Sequence, residues 1–167
     1  MRFFLIDKVT EIVVGESISG VKNVTLSDEV LHDHFPDYPV MPGVLVVEAA
    51  AQLAGFLLEM TFNPVPAEGA TAGAESQPLR ALLTQIKDAK FYQTSGPGDR
   101  LDIKVKLGPM LDAAAQVSAE VHVGDVRIAR LSLTFIMKAI PSERVHAQRR
   151  YIYSLWTSHL KLPRPLP

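Results

Sequence analysis

Residues 34–55 read His34-Phe35-Pro36-Asp37-Tyr38-Pro39-Val40-Met41-Pro42-Gly43-Val44-Leu45-Val46-Val47-Glu48-Ala49-Ala50-Ala51-Gln52-Leu53-Ala54-Gly55. The character changes at Pro42. Before it, Pro36, Pro39 and Pro42 stiffen a loop, which is what holding an imidazole in one place requires. After it, Gly43 to Met60 is a run of strong helix formers, and proline just ahead suits a helix start. The run is apolar nearly all round, so it predicts a buried helix rather than a surface one. Its length approaches that of a membrane span, but Glu48 and Gln52 in the middle and the lack of basic flanks oppose that reading.

Outward from this segment the chain alternates between strand-like and turn-like stretches. Residues 3–14 and 16–25 are rich in Val, Ile, Phe and Thr, punctuated by Gly15 and Gly20, and predict two strands. A polar, proline-bearing loop covers residues 27–42. Residues 62–79, rich in Pro, Gly, Ala and Ser, predict a mobile loop. Strands follow over 80–92, 100–107, 114–123 and 126–138. The turns between them are expected at residues 95–99, at Gly108-Pro109 and at Gly124-Asp125. In the last strand Val126, Ile128, Leu131, Leu133 and Phe135 mark the buried face, with a phase change near Ala129 that suggests a bulge. The expected fold is α+β, a curved antiparallel sheet wrapped around one long buried helix. Residues 1–140 would form the domain, and 141–167 a basic, then proline-rich C-terminal extension.

Composition narrows the function. The chain has 167 residues, 47% hydrophobic and 21% charged, with a formal net charge of −1. These are the proportions of a soluble single domain. No basic segment is interleaved with aromatics, so nucleic acid is not an expected partner. No cysteine is present, which excludes thiol catalysis and thiolate metal sites and fits a reducing cytoplasm. Asp7 and Lys8 interrupt the apolar start too soon for a secretion signal. No pair among His32, His122, His146 and His159 has metal-ligand spacing. His32, His146 and His159 are expected at the surface, and Glu59 at the solvent end of the helix.

Three groups in the opening segment carry chemistry, and a fourth lies beside them. Gly43 opens the helix, so its N–H is among the four donors left unpaired there and could hold an oxyanion. Glu48 follows on an apolar helix, where desolvation would favour a protonated carboxyl able to donate. His34 is suited to accept a proton. Gln52 lies on the same face as Glu48, four residues on. A base, an acid and an oxyanion donor are the parts for β-elimination. On the residues alone, a satisfied core carboxylate and a loop histidine remain an equal alternative.

The stretch from His34 to Gly55 resembles the 3-hydroxyacyl-acyl-carrier-protein dehydratases of the FabZ and FabA type. Their motif runs His-Phe-Pro-Gly-x-Pro-x-Met-Pro-Gly-Val with an acid fourteen positions after the histidine, as Glu48 is from His34. Lys90-Phe91, Pro97-Gly98-Asp99, Arg100-Leu101 and Val21–Thr25 also look like theirs, and the similarity covers residues 1–138. The resemblance implies a hotdog fold, sheets paired between two subunits, and active sites shared across their interface. It implies that His34 removes the C2 proton, Glu48 of the neighbour protonates the departing 3-hydroxyl, and the Gly43 N–H holds the thioester carbonyl. Phe35, Pro36, Met41 and Pro42 would shape the substrate loop, with Gln52 positioning. No metal or organic cofactor is implied, since the phosphopantetheine arm belongs to the substrate. The implied partners are acyl carrier protein and further copies of the chain, as a homodimer or a trimer of dimers.

The acid being glutamate favours the FabZ-like branch. Asp33 matches neither the cysteine nor the glycine common there. Asp37 replaces the usual glycine after His-Phe-Pro, and Tyr92 and Gln93 stand where two arginines are common. Lys87, Lys90, Arg100, Lys104 and Lys106 form a loose basic group suited to an acidic carrier, or simply a solvated strand face. Competing readings are a hotdog thioesterase and a non-catalytic acyl-carrier-binding subunit.

Overall fold

The computed structural model describes residues 3–63 and 77–167. Strands β1 (Lys8–Val13) and β2 (Ser17–Asn23) form a hairpin, and a 3-10 turn spans Glu29–His32. Helix α1 runs Gly43–Phe62. Four strands follow: β3 (Leu79–Phe91), β4 (Arg100–Leu111), β5 (Ala114–Val123) and β6 (Val126–Ala139). A further helix, α2, spans Glu143–Thr157 near the end of the chain. The six strands make one antiparallel sheet in the order β1-β2-β4-β5-β6-β3. This is the hotdog arrangement, an α+β layer with α1 in the curve of the sheet.

Period-two alternation aims one face of the sheet at α1. Leu101, Ile103 and Val105 on β4, Val117, Ala119 and Val121 on β5, and Leu131, Leu133 and Phe135 on β6 are all buried. Helix α1 answers with Leu53, Phe56, Leu57, Leu58 and Met60, none of them accessible. By length and composition α1 could cross a membrane, but most of it is enclosed by the fold. Its apolar character is that of a core helix.

Several expectations shift. Gly108 and Pro109 are not a turn: they lie inside β4, where the pairing with β5 slips between Leu107 and Met110. The chain reverses at residues 112–113, with Asp112 in the left-handed region at φ 49°. An irregularity in one strand can absorb a Gly-Pro pair without ending it. The expected bulge in β6 is present beside Ala129, since Val121 pairs with Ala129 but His122 pairs with Arg127, leaving Ile128 as the extra residue. Val126, expected inside, is exposed. The loop expected over 62–79 lies largely outside the described residues. Asn63 ties its two ends together, donating through Nδ2 to the Leu79 carbonyl at 3.0 Å and accepting from Leu79 N–H at 2.7 Å.

Residues 143–157, read from composition only as basic extension, form α2. Ser142 caps it, its hydroxyl accepting from the Val145 N–H. Ile152, Tyr153 and Trp156 are buried, and Tyr153 stacks on Phe56 of α1 with ring centroids 4.1 Å apart. Helix α2 therefore adds to the same hydrophobic core as the sheet.

Candidate active site

The loop ahead of α1 is a tight hairpin of its own. Phe35 and Tyr38 exchange both main-chain hydrogen bonds at 3.0 Å. Between them, Pro36 takes the second turn position and Asp37 the third, with φ 62°. That is the pattern of a type II turn, whose third position favours glycine and tolerates Asp. The His34–Phe35 peptide is cis, and the two rings stack with centroids 4.2 Å apart.

The hairpin fixes the tautomer of the neutral His34 ring. Its Nδ1 lies 2.8 Å from the Val40 carbonyl oxygen, and a carbonyl only accepts, so Nδ1 carries the hydrogen. The Nε2 lone pair is left free to take a proton. The Val40 N–H returns to the His34 carbonyl at 2.7 Å, so the ring is held by its own loop. That loop is buttressed in turn by the 95–99 turn. The Met41 N–H donates to the Ser95 carbonyl at 2.8 Å, and a side chain on Gly96 would come within 3.0 Å of the Pro39 oxygen. Asp99 closes the turn by accepting from the Gly96 N–H. Pro97-Gly98-Asp99 is thus a structural turn, and its task is to seat the histidine loop.

Helix α1 supplies the other two groups. Its first carbonyl acceptor is Pro42, used by the Leu45 and Val46 N–H groups, while no partner among the described residues takes the Gly43 N–H. The Phe91 ring sits 3.0 Å from where a Gly43 Cβ would be, so the position admits no side chain unless that ring moves. Glu48 is half-buried, on a helix that is otherwise mostly buried as its apolar sequence predicts. Its Oε1 accepts from Gln52 Nε2 at 2.9 Å. Both His34 and Glu48 are described, and no hydrogen bond joins them within the chain. Among the loop residues, Phe35 and Pro36 are exposed, whereas Met41 and Pro42 are buried. Met41 and Leu45 line a cavity of about 180 Å³ shared with Phe4, Leu5, Lys22 and Val30.

A FabA-like domain model matches residues 1–132. The 3-hydroxyacyl-[acyl-carrier-protein] dehydratase FabZ of Clostridioides difficile is 33% identical over 135 residues, covering 81% of this chain and 87% of its own length. Its counterpart in Lactiplantibacillus plantarum is 39% identical, over 82% of this chain and 85% of its own. That of Gluconobacter oxydans reaches 44%, over 62% of this chain and 55% of its own. The chain belongs to the FabA-like family, on its FabZ side. Among solved structures, the dehydratase heterocomplex ApeI:P of Xenorhabdus doucetiae shares the fold with a TM-score of 0.61. It is 17% identical and covers 87% of this chain and 88% of its own.

Within this family the departures acquire reasons. Asp37 occupies a left-handed position that explains a family glycine, and it retains the turn. Tyr92, in place of an arginine, lies under the Arg127 guanidinium, 5.2 Å from the ring centroid. The basic group divides: Lys87 and Lys90 are on β3, Arg100, Lys104 and Lys106 on β4, with β5 and β6 between. Arg100 is also paired with Asp102.

Composition and motif miss one buried polar cluster. Glu59, expected in solvent, is 1% exposed, and Arg80 is 3% exposed. Arg80 Nη1 donates to Glu59 Oε2 at 2.6 Å, the Tyr153 hydroxyl to the same oxygen at 2.8 Å, and the Ala81 N–H to Oε1 at 3.3 Å. Arg80 Nε donates to Nδ1 of His146, which is buried rather than on the surface. Burial first, and then the neighbouring Glu59 charge, hold the Tyr153 phenol well above its ordinary value of 10.0. Glu59 and Arg80 are 21 residues apart, while His146 and Tyr153 lie at the far end of the chain. Only their shared burial marks them as a set.

Proposed function

We propose that this chain dehydrates 3-hydroxyacyl thioesters borne on acyl carrier protein, giving trans-2-enoyl thioesters for fatty acid synthesis or a related acyl route. His34 Nε2 takes the C2 proton, acidified by the adjacent thioester carbonyl. The negative charge that gathers on that carbonyl oxygen is met by the Gly43 N–H at the positive end of α1. As the C3–O bond breaks, Glu48 gives its proton to the departing hydroxyl, which leaves as water. His34 ends protonated and Glu48 ionised, and exchange with solvent resets both. Base, acid and oxyanion donor are all groups of the chain, so the step calls on no metal or organic cofactor.

The His34–Val40 hydrogen bond carries this reading, because it places the hydrogen of the neutral ring on Nδ1 and so makes Nε2, fixed in direction, the nitrogen that can act as base. We further propose a homodimer formed along β3. This 13-residue strand ends the sheet, and it exposes Leu82, Leu83, Ile86 and Phe91. A long apolar edge left unpaired invites pairing with another strand, and a second copy of β3 matches it in length and chemistry. His34 would then work with Glu48 of the partner subunit, consistent with the missing contact between the two within one chain. A cysteine-free chain of this kind suits the cytoplasm. Sedimentation distinguishes a dimer from a trimer of dimers.

The test is incubation with a 3-hydroxyacyl carrier-protein thioester, read by mass. Loss of one water by the unaltered protein, abolished or cut severely in His34→Ala and in Glu48→Gln, is the expected result. Release of free thiol without water loss would make the chain a thioesterase. An acyl carrier bound but unchanged would make it a binding subunit.

A further inference from the structure

The segment ahead of β1 makes contacts that the elimination chemistry has not used. Leu5 and Ile6 are buried in the core, and Asp7 fastens the segment to β2. The Asp7 N–H donates to the Val21 carbonyl at 2.8 Å, and its carboxylate accepts from the Asn23 N–H at 2.6 Å. Upstream of that anchor, the main chain of residues 3–5 lies against the side chain of Gln52. The Leu5 N–H donates to Gln52 Oε1 at 3.0 Å. Gln52 Nε2 donates to the Phe3 carbonyl at 3.0 Å and to Glu48 Oε1 at 2.9 Å.

These three bonds leave the amide no choice of orientation. A primary amide has one acceptor oxygen and two N–H groups. Turned over, Gln52 would set its NH2 against the Leu5 N–H and its oxygen against the Phe3 carbonyl, two repulsive contacts in place of two bonds. The main chain of Phe3 and Leu5 therefore dictates that Gln52 offers Glu48 a donor and never an acceptor. Glu48 Oε1 must accept in either protonation state, so the transferable proton sits on Oε2. An N–H donor binds a carboxylate more strongly than a carboxylic acid, so the bond tightens as Glu48 releases its proton.

We propose that residues 3–5 belong to the machinery positioning the catalytic acid: acting through Gln52, their main chain selects the oxygen of Glu48 that delivers the proton. The inference rests on Glu48 being the acid. Gln52 and the segment are positioning residues and touch no reacting atom.

The test is a cycle built from Gln52→Leu, deletion of residues 1–5, and both together, with kcat and KM measured on a 3-hydroxyacyl thioester. Each single change is expected to lower kcat about tenfold with little change in KM, a fraction of the whole effect of a general acid. The combination should be no worse than either alone, because both changes remove the same constraint. Leu5→Pro, which removes the N–H while keeping an apolar residue, replaces the deletion should the shortened chain fail to fold. Gln52→Glu supplies a readout that mere packing would not move. The carboxylate it introduces can accept from Leu5 but cannot donate to Glu48. In that variant kcat, taken relative to the unaltered enzyme at the same pH, should fall at neutral pH and recover as acidification protonates the introduced carboxylate and restores a donor. Additive losses in the cycle, a deletion that leaves kcat intact, or a Gln52→Glu enzyme whose kcat relative to the unaltered protein does not change with acidification would overturn the proposal. Full activity in Glu48→Gln would overturn the acid assignment beneath it, a result the cycle alone cannot produce.

Discussion

Helix α1 carries two glutamates, Glu48 and Glu59, eleven residues or about three turns apart and so on nearly the same face. Their surroundings differ in kind. Glu59 is enclosed and receives an arginine, a tyrosine hydroxyl and a main-chain N–H, one cation and two neutral donors. Glu48 is half-buried and, among the described residues, receives only a neutral amide. A carboxyl that must give up and regain a proton cannot sit beside a fixed cation without being held in its charged form. The end of the helix proposed to meet substrate accordingly has no cation among its described contacts. The other end has its charge neutralised and joins α1, β3 and α2.

The sharpest way to break this comparison is to remove both carboxylates in turn. Glu59→Ala leaves Arg80 buried and unpaired, and should cost about 3–5 kcal/mol of stability in urea unfolding. Glu48→Gln should leave the unfolding midpoint nearly unchanged while lowering dehydration by about 10²–10⁴-fold. A large stability loss at Glu48, or none at Glu59, would show that the two are not specialised as described. The double change Glu59→Leu with Arg80→Met should recover most of the loss of Glu59→Ala, because a buried ion pair exchanged for apolar residues leaves no stranded charge.

Tyr153 sharpens the same contrast at smaller amplitude. Tyr153→Phe should cost about 1.5–3 kcal/mol, the range for a hydrogen bond to a charged group. Its pH dependence follows from the raised phenol. The folded protein keeps the proton where the unfolded chain has begun to lose it, so stability falls as pH rises above the ordinary tyrosine value of 10.0. Unfolding followed between neutral and strongly alkaline pH should show this loss in the unaltered protein and a smaller one in Tyr153→Phe. An identical alkaline slope in both would remove Tyr153 from the cluster.

The smallest expected effect is at the turn beside His34. Asp37→Gly relieves a left-handed aspartate but frees the unfolded chain, so it should stabilise by less than about 1 kcal/mol. Activity should stay within a few-fold of the unaltered enzyme. A larger loss would mean that the Asp37 charge itself serves the substrate.

What the sequence reveals depends on the range of the interaction. The histidine hairpin and the start of α1 are local: three prolines, a glycine and the helix formers lie within a few residues of the contacts they make. The alternation along β4, β5 and β6 likewise reads directly as a buried face. Glu59 misleads because a glutamate near the end of a helix, next to a polar stretch, looks solvated. Its partners come from residue 80 and from beyond residue 140. Helix α2 does carry a signal, Ser142 as cap and Ile152, Tyr153 and Trp156 at helical spacing, but the surrounding arginines and the prolines after it mask the pattern. Gly108-Pro109 misleads because the pair usually breaks a strand, and only the register of β5 reveals that this one continues.

One measurement reaches furthest into the shared active site. His34→Ala and Glu48→Gln, each severely impaired alone, would be unfolded together, refolded as a mixture and assayed for dehydration. If each site takes its base from one subunit and its acid from the other, half of the dimers are mixed and each regains one intact site, so activity should return to about a quarter of the unaltered level. A mixture as inactive as its components, although mixed dimers have formed, would contradict an active site built from His34 of one chain and Glu48 of the next.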